Sequence, residues 1–145
     1  MKQENIPVYS INTFKQTPDH PHYQVEVFKK DRNFKVSYPH RHDFYEILFI
    51  TKGSGFYTID FNDYPITENT IFFVSPGQVH TINYSEDTLG YIFLFTSEFY
   101  LWNKEDKNKL TEFPFFNHFS GNTPPLHLDE EQEVAFMENL FYRAC

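Results

Sequence analysis

Three side chains with metal-ligating and hydrogen-bonding chemistry fall at a strict spacing, and a fourth follows further along the chain. They are His40, His42 and Glu46, with His80 at the end of a Pro-Gly-Gln-Val-His segment. Side chains on an extended strand repeat with period two, so the even positions 40, 42 and 46 project from one face. Two imidazoles and a carboxylate on one face, joined by a third imidazole, make either a metal site or the polar floor of a pocket.

The elements that must position these groups are short strands. Aromatic residues make up 20% of the chain, with 18 Phe and 10 Tyr, and this composition favours pleated, half-buried surfaces. Alternating segments bounded by Pro, Gly, Asn, Asp or Ser predict strands at 23–28, 34–38, 44–50, 56–61, 64–66, 71–74, 80–84 and 89–96. The fold class predicted is therefore mainly β, an antiparallel barrel or sandwich with one or two C-terminal helices.

Within the strands, parity predicts which side chains face the interior. Phe44 and Leu48 share the parity of Glu46, so we expect all three inside, whereas Tyr45, Ile47 and Phe49 should face the other side. One alternating set of strand 56–61, either Tyr57, Ile59 and Phe61 or their even neighbours, should fill part of the core.

The two ends of the chain differ from the middle. The polar, proline-containing residues 1–22 predict an irregular arm rather than a packed element. A short helix is expected over 97–102, and an apolar clip at 113–116 is expected to dock on the barrel. We divide the chain into an arm at 1–22, a barrel at 23–122 and the start of a helical region at 123–145.

The helix expected in that last region is amphipathic. Asp129 is the predicted N-cap, and Val134, Met137 and Phe141 recur at helical spacing. Because no Gly, Asn or Pro stop signal precedes residue 145, we interpret the chain as the front part of a longer protein. The apolar stripe predicts burial either against the barrel or against a second copy.

Charge and cysteine content limit the function. The formal net charge is -8, with scattered bases and no basic stripe, so direct nucleic-acid binding by this segment is disfavoured. The single cysteine, Cys145, precludes an intrachain disulfide and suits a reducing compartment. No signal peptide or long apolar window is evident, which predicts a cytoplasmic protein.

The motifs resemble those of a known superfamily. His40-x-His42-x-x-x-Glu46, followed by Gly53, resembles the first cupin motif, and Pro76-Gly77-x-x-His80 with Asn83 behind it resembles the second. The second match departs from the usual pattern, since Pro and Gly are adjacent and only two residues separate His80 from Asn83. The segments HRHDFYEILFITKGSGFYTIDFNDYPI and NTIFFVSPGQVHTI are similar to the N-terminal sensing domain of AraC-type transcription regulators, over about residues 20–100.

This resemblance implies a cupin-like barrel (a double-stranded β-helix, or jelly roll) followed by a helical dimerisation region. It implies a small effector, a sugar or related metabolite, and a homodimer that contacts DNA through a C-terminal domain outside these 145 residues. By family analogy, the arm around residues 6–14 would close over the ligand. The positions expected to contact the effector are His40, His42, Glu46, His80, Phe44, Ile82, Tyr84 and Phe93.

Two alternatives remain open from the sequence. The resemblance places His40, His42, Glu46 and His80 on the ligand positions of metal-binding cupins, so a divalent transition metal would make the chain a dioxygenase or a sugar isomerase. We regard no cofactor, with these groups as polar pocket walls, as the first expectation. A third interpretation is a dimerisation module with no ligand.

Overall fold

The computed structural model describes residues 6–11, 22–30, 38–101 and 124–145. The strands are β1 Val8–Tyr9, β2 Tyr23–Lys29, β3 Arg41–His42, β4 Tyr45–Lys52, β5 Gly55–Ile59, β6 Asn62–Ile66, β7 Thr70–Val74, β8 His80–Tyr84, β9 Leu89–Phe95 and β10 Leu126–His127. The helices are α1 Ser97–Leu101 and α2 Glu131–Ala144. The strand expected at 34–38 and the clip at 113–116 fall wholly or mostly outside the described residues.

Two antiparallel sheets make up the body of the fold. One has the strand order β10-β7-β4-β9-β2 and the other β6-β5-β8, while β1 and β3 form a separate parallel pair. An isolated bridge between His40 and His80 links the residue before β3 to the first residue of β8, in the smaller sheet. The predicted mainly-β fold, an antiparallel sandwich with one or two helices towards the C-terminus, is confirmed.

The apolar core lies between the sheets. Leu48, Phe72 and Leu94 from the larger sheet share one cluster with Tyr57 and Ile59 from the smaller one. Alternation explains this arrangement, because the even positions of β4 and the odd positions of β5 face the same interior. The expectations for Phe44 and Leu48, which are both fully buried, are confirmed.

The outer face of the larger sheet is also covered, at two places. Phe49 and Ile71 pack with Leu128 and with Phe141 of α2. A second cluster, around Tyr45 and Phe95, includes Phe99 of α1 and the half-buried Phe93. Burial on both faces accounts for the apolar run at residues 47–50 of β4, because a strand with one solvent-exposed face would alternate apolar and polar residues.

Three expectations need correction. The arm is packed at its described part, because β1 pairs with β3 and Ile11 is buried in the core. The strand expected over 56–61 ends at Ile59, since Asp60 and Phe61 turn the chain with positive φ angles of 48° and 67°, and Phe61 is exposed.

The third correction concerns the start of α2. Glu130, not Asp129, is the N-cap, and it makes no side-chain capping hydrogen bond. The Asp129 carboxylate lies instead 3.5 Å from Nε2 of His127. The short helix α1 matches its prediction, and Oγ1 of Thr96 accepts a hydrogen bond from the amide of Phe99 at its start.

Candidate functional site

The four groups selected from the sequence meet at one end of the sandwich. The His80 ring centroid lies 4.3 Å from that of His40 and 4.5 Å from that of His42. Nε2 of His42 lies 3.7 Å from Oε1 of Glu46. All four side chains are buried. The convergence predicted from period-two spacing and the two motifs is therefore observed.

Different elements bring the groups together. Backbone hydrogen bonds run in both directions between His40 and His80, so these two residues face each other across the bridge. Glu46 lies near the start of β4, the central strand of the larger sheet, and pairs with Val74 of β7 on one side and Leu94 of β9 on the other. The chain bends at residues 43–44, between β3 and β4, yet the even positions stay inside.

Two of the histidines are held by main-chain carbonyls. Nδ1 of His40 lies 3.0 Å from the carbonyl oxygen of Tyr38, and Nδ1 of His80 lies 2.9 Å from that of Gln78. A carbonyl oxygen only accepts, so each Nδ1 carries the proton and each Nε2 keeps its lone pair. Both rings therefore present an acceptor, or a metal ligand, through Nε2.

Burial keeps these two rings neutral. Loss of solvation lowers the pKa of His80 to about 3, helped by the neighbouring His42. Burial likewise lowers the pKa of His40, against the opposing effect of its bond to the Tyr38 carbonyl. Near neutral pH both imidazoles are uncharged, which is the form that accepts hydrogen bonds or binds metal.

Glu46 is ionised although it is buried. Desolvation raises the pKa of its carboxyl, but His42, His80 and the hydroxyl of Tyr57 together outweigh burial, so the pKa lies below its usual value. The Tyr57 hydroxyl donates a short hydrogen bond to Oε2 of Glu46. Burial first, and then Glu46, raise the pKa of Tyr57 well above its usual value, so the phenol remains a donor.

Of the remaining predicted contact residues, Phe44, Ile82 and Tyr84 lie on the interior side of the sheets, whereas Phe93 lies on the outer face. Phe44 stacks on His42, with ring centroids 3.9 Å apart and planes at 12°. Ile82 packs against the core, and Tyr84 is buried 5.0 Å from the ring centroid of Phe28. Phe93 is not brought to the site: it stands on the outer face of β9, because only the even residues of that strand face the interior.

Tyr57, Gln78 and Asp60 contribute to the site but were missed from the sequence. Tyr57 was assigned to the core alone, because no local pattern shows that β5 faces Glu46 across the sandwich. Gln78 donates through Nε2 to Oδ2 of Asp60, at 2.9 Å, and accepts through Oε1 from the amide of Ser75, at 2.8 Å. Gln78 lies two residues before His80 within the second motif, which was the available signal.

The N-terminal segment also reaches the site. The Tyr9 ring meets the His40 ring edge-on, with centroids 5.7 Å apart, and the Tyr9 and Tyr38 hydroxyls share a short hydrogen bond. The amides of Arg41 and Asp43 donate to the carbonyls of Pro7 and Tyr9, respectively. Residues 7–9 therefore lie beside His40 and β3, on one side of the four-group cluster.

The distances between the candidate ligand atoms are close to those that a bound metal ion requires. One ligand atom each from His42, Glu46 and His80 lies within 4.8 Å of the others, and His40 is not part of this set. Bonds of about 2.1 Å would bring ligand atoms to roughly 3–4 Å of one another, so a modest contraction suffices. Two imidazoles and a carboxylate fit a divalent transition metal chemically. His40 lies outside the three residues that meet this distance, and the four-residue ligand set implied by the resemblance stays a prediction.

The comparisons with known proteins identify the domain. A model of the AraC-like ligand binding domain matches residues 21–138. YfiF of Bacillus subtilis (strain 168), described as an uncharacterized HTH-type transcriptional regulator, is 42% identical over 71 residues, which cover 41% of this chain. The chain spans about a quarter of that relative, since the match covers 23% of its length.

Several solved structures resemble the fold at low identity. ToxT from Vibrio cholerae is 13% identical, with a TM-score of 0.47, over 83% of this chain and 47% of its own. A cupin protein from Bacteroides fragilis is 21% identical, with a TM-score of 0.38, over 51% and 63% of the two chains. None of the described helices is long and apolar enough to cross a membrane. On the match to residues 21–138, the chain belongs to the AraC-like ligand binding domain family.

Proposed function

We propose that this chain is the effector-sensing domain of an AraC-type transcription regulator. The observation that supports this proposal is the convergence of His40, His42, Glu46 and His80 at one end of the sandwich. Binding there changes a regulator only through different affinities for two arrangements of the whole protein. DNA contact belongs to a C-terminal domain outside these 145 residues, and the protein acts in the cytoplasm as a homodimer.

The chemistry of the site favours an effector rich in hydrogen-bond donors. An ionised carboxylate and two neutral imidazoles offer acceptors, whereas the phenol of Tyr57 is already engaged by Glu46. An anionic effector would meet the Glu46 charge in a buried setting, which is unfavourable. A sugar or related polyhydroxylated metabolite supplies hydroxyl donors, and the stacked Phe44 offers an apolar wall.

Entry to the site involves the N-terminal segment. Tyr9 lies against His40, Ile11 is buried in the core, and two backbone hydrogen bonds hold residues 7–9 to β3 and the bend after it. An effector that contacts His40 would displace Tyr9 or use it as a wall. We propose that the segment at 6–11 is the part of the chain whose position responds to the effector.

The direct test is thermal denaturation with a panel of neutral sugars, sugar acids and amino sugars. A ligand that binds only the folded state at 100 times its Kd stabilises that state by about 2.7 kcal/mol. We expect a neutral sugar to raise Tm, and Glu46→Gln to remove the increase. Glu68→Gln, on an exposed turn, is the matched control and should retain it. No increase with any member of the panel would contradict the proposal.

A second candidate rests on the three ligand atoms within 4.8 Å. His42, Glu46 and His80 would hold a divalent transition metal, and the chain would be a metal-dependent cupin enzyme, a dioxygenase or a sugar isomerase. The metal would supply Lewis acidity or oxygen binding. Tyr57, through its bond to Oε2, would orient the Glu46 carboxylate, and burial would exclude water.

Metal analysis distinguishes the two candidates. Protein purified without chelators should contain near-stoichiometric Fe, Mn, Ni or Zn if the enzyme candidate is correct. A metal-free preparation whose Tm rises with a sugar favours the sensor. A sensor with a structural metal would both contain metal and show a rise in Tm with a sugar. In that case the metal content and the sugar-dependent rise in Tm of His80→Gln should each be compared with those of the parent chain.

A further inference from the structure

The interior face of the larger sheet carries polar side chains besides Glu46. Cross-strand register places residues of β7, β4, β9 and β2 in three rows that face the same side: Val74, Glu46, Leu94 and Gln24; then Phe72, Leu48, Ile92 and Glu26; then Thr70, Ile50, Gly90 and Phe28. Directly paired residues share a face of a sheet. Because Ile92 and Leu94 belong to the apolar core, their partners Glu26 and Gln24 also face inward.

Three of the four polar positions in these rows gather at the end of the sandwich that holds the imidazoles. Gln24 lies in the same row as Glu46, two strands away, and Glu26 lies in the next row. Neighbouring strands are about 4.8 Å apart, so the backbones of Gln24 and Glu46 are separated by about 10 Å. Thr70 lies at the other end, where its Oγ1 is 3.2 Å from Nδ1 of His127.

Gln24 and Glu26, which we call the β2 pair, are joined by a hydrogen bond. Nε2 of Gln24 donates to Oε2 of Glu26 at 2.6 Å, and Gln24 is only 8% exposed. An inward-facing charge on an edge strand can serve simply to prevent pairing with another chain. That role accounts for Glu26, but it does not account for an amide buried in the row of Glu46, since burial of an amide is costly.

We propose that the β2 pair is a second polar contact for the effector and that it binds two neighbouring hydroxyl groups. This inference rests on the proposed function, and it adds the residues that set specificity among sugars. The carboxylate of Glu26 accepts from one hydroxyl, and the amide of Gln24 donates to the oxygen of the next. With Glu46 at the other side of the row, the effector class is a neutral polyol with vicinal hydroxyls that lies over Leu94.

Binding affinities test this contact. Isothermal titration calorimetry with D-glucose, D-galactose, D-mannose and D-xylose identifies the sugar that the parent chain binds most tightly. For that sugar, Gln24→Met should raise Kd about five- to tenfold and Glu26→Gln about tenfold, because each change weakens a hydrogen bond to a hydroxyl. Gln132→Met and Glu68→Gln, the same substitutions at exposed positions, are the matched controls and should keep Kd within about twofold.

Deoxy sugars separate direct contact from a role in folding alone. In the parent chain, a monodeoxy analogue that lacks a hydroxyl bound by the β2 pair should bind more weakly than the complete sugar. In Gln24→Met the same analogue should lose little further affinity, so the two changes are non-additive. If Gln24 acted only on the stability of β2, the variant would unfold at lower urea concentration without sugar, and the two changes in affinity would be additive.

The outcomes distinguish this inference from the function on which it rests. Kd values like those of the parent in both Gln24→Met and Glu26→Gln, or additive changes for every monodeoxy analogue, would overturn the inference and leave the site at Glu46 unaffected. If Gln24→Met fails to fold, Glu26→Gln, which keeps the size of the side chain, gives the same comparison. No binding of any of the four sugars to the parent chain would overturn the sugar class and this inference together.

Discussion

Gln78 and Asp60 join two loops through one hydrogen bond, from Nε2 of Gln78 to Oδ2 of Asp60 at 2.9 Å. Asp60 belongs to the turn between β5 and β6, and Gln78 to the loop that leads into β8. Asp60 also accepts from the amide of Val79 through Oδ1, at 3.1 Å. The Gln78 carbonyl in turn faces Nδ1 of His80, so this pair of residues sets the position of a site imidazole.

The first prediction concerns the hydrogen bond between Gln78 and Asp60. Gln78→Glu should destabilise the fold by about 1–3 kcal/mol, because it places a second carboxylate against Asp60 in a buried position. Asp60→Asn in the same chain should recover most of the loss, since the amide can donate to Glu at 78 while Oδ1 still serves Val79. A double-mutant cycle from urea unfolding measures the coupling, and additive effects would contradict the contact.

The second prediction concerns the Tyr57 hydroxyl. Tyr57→Phe should cost about 1–3 kcal/mol in the free energy of unfolding, because Glu46 then loses a buried donor. The pKa of Glu46 should rise, which carboxyl chemical shifts would detect during titration. Tyr142→Phe, at an exposed position, should leave both quantities unchanged. An unchanged Glu46 pKa in Tyr57→Phe would argue against the bond.

The third prediction is acid sensitivity. Histidine in the unfolded chain has a pKa near 6.5, but His80 in the fold has a pKa of about 3. Between pH 6.5 and pH 3 this histidine is protonated in the unfolded state but neutral in the folded state. The free energy of unfolding is therefore greatest above pH 6.5 and decreases as the pH is lowered. The loss approaches, at most, about 1.4 kcal/mol per pH unit. The lowered pKa of Glu46 acts in the same direction at more acidic pH.

Urea unfolding of metal-free protein at several pH values checks this dependence. The difference in stability between pH 6.5 and pH 4.5 should be smaller in His80→Gln than in the parent chain, because that variant removes the titrating group. His127→Gln, at a half-exposed ring outside the site, is the control and should keep the parent dependence. Equal dependence in all three proteins would contradict a neutral, buried His80.

The fourth prediction concerns the turn after β5. Phe61 adopts a φ of 67° while its ring is exposed, and non-glycine residues in this region cost about 1–2 kcal/mol. Phe61→Gly should therefore stabilise the fold by about 0.5–1 kcal/mol, after allowance for the greater entropy of glycine in the unfolded chain. Phe56→Gly, at an exposed position within β5, should have the opposite sign, since glycine weakens a strand interior.

The sequence by itself determined the local elements and the parity of the site. Period-two alternation located most strands and placed His42, Glu46 and Phe44 on the interior side, where all three are buried. It did so because the pleat of a strand is a local property of the backbone. The second motif likewise supplied His80 as the third imidazole of the cluster, and the structure pairs it with His40.

Only the tertiary structure decided which residues complete the site. The bond from Tyr57 to Glu46 joins opposite sheets, and the bond from Gln78 to Asp60 joins two loops, so neither pairing is encoded by spacing along one strand. The same dependence on contacts between distant segments explains why Phe93 was wrongly expected to contact the effector. Its alternation was visible, but which face of β9 points inward depends on its register with β4, and that register is set by packing between distant segments.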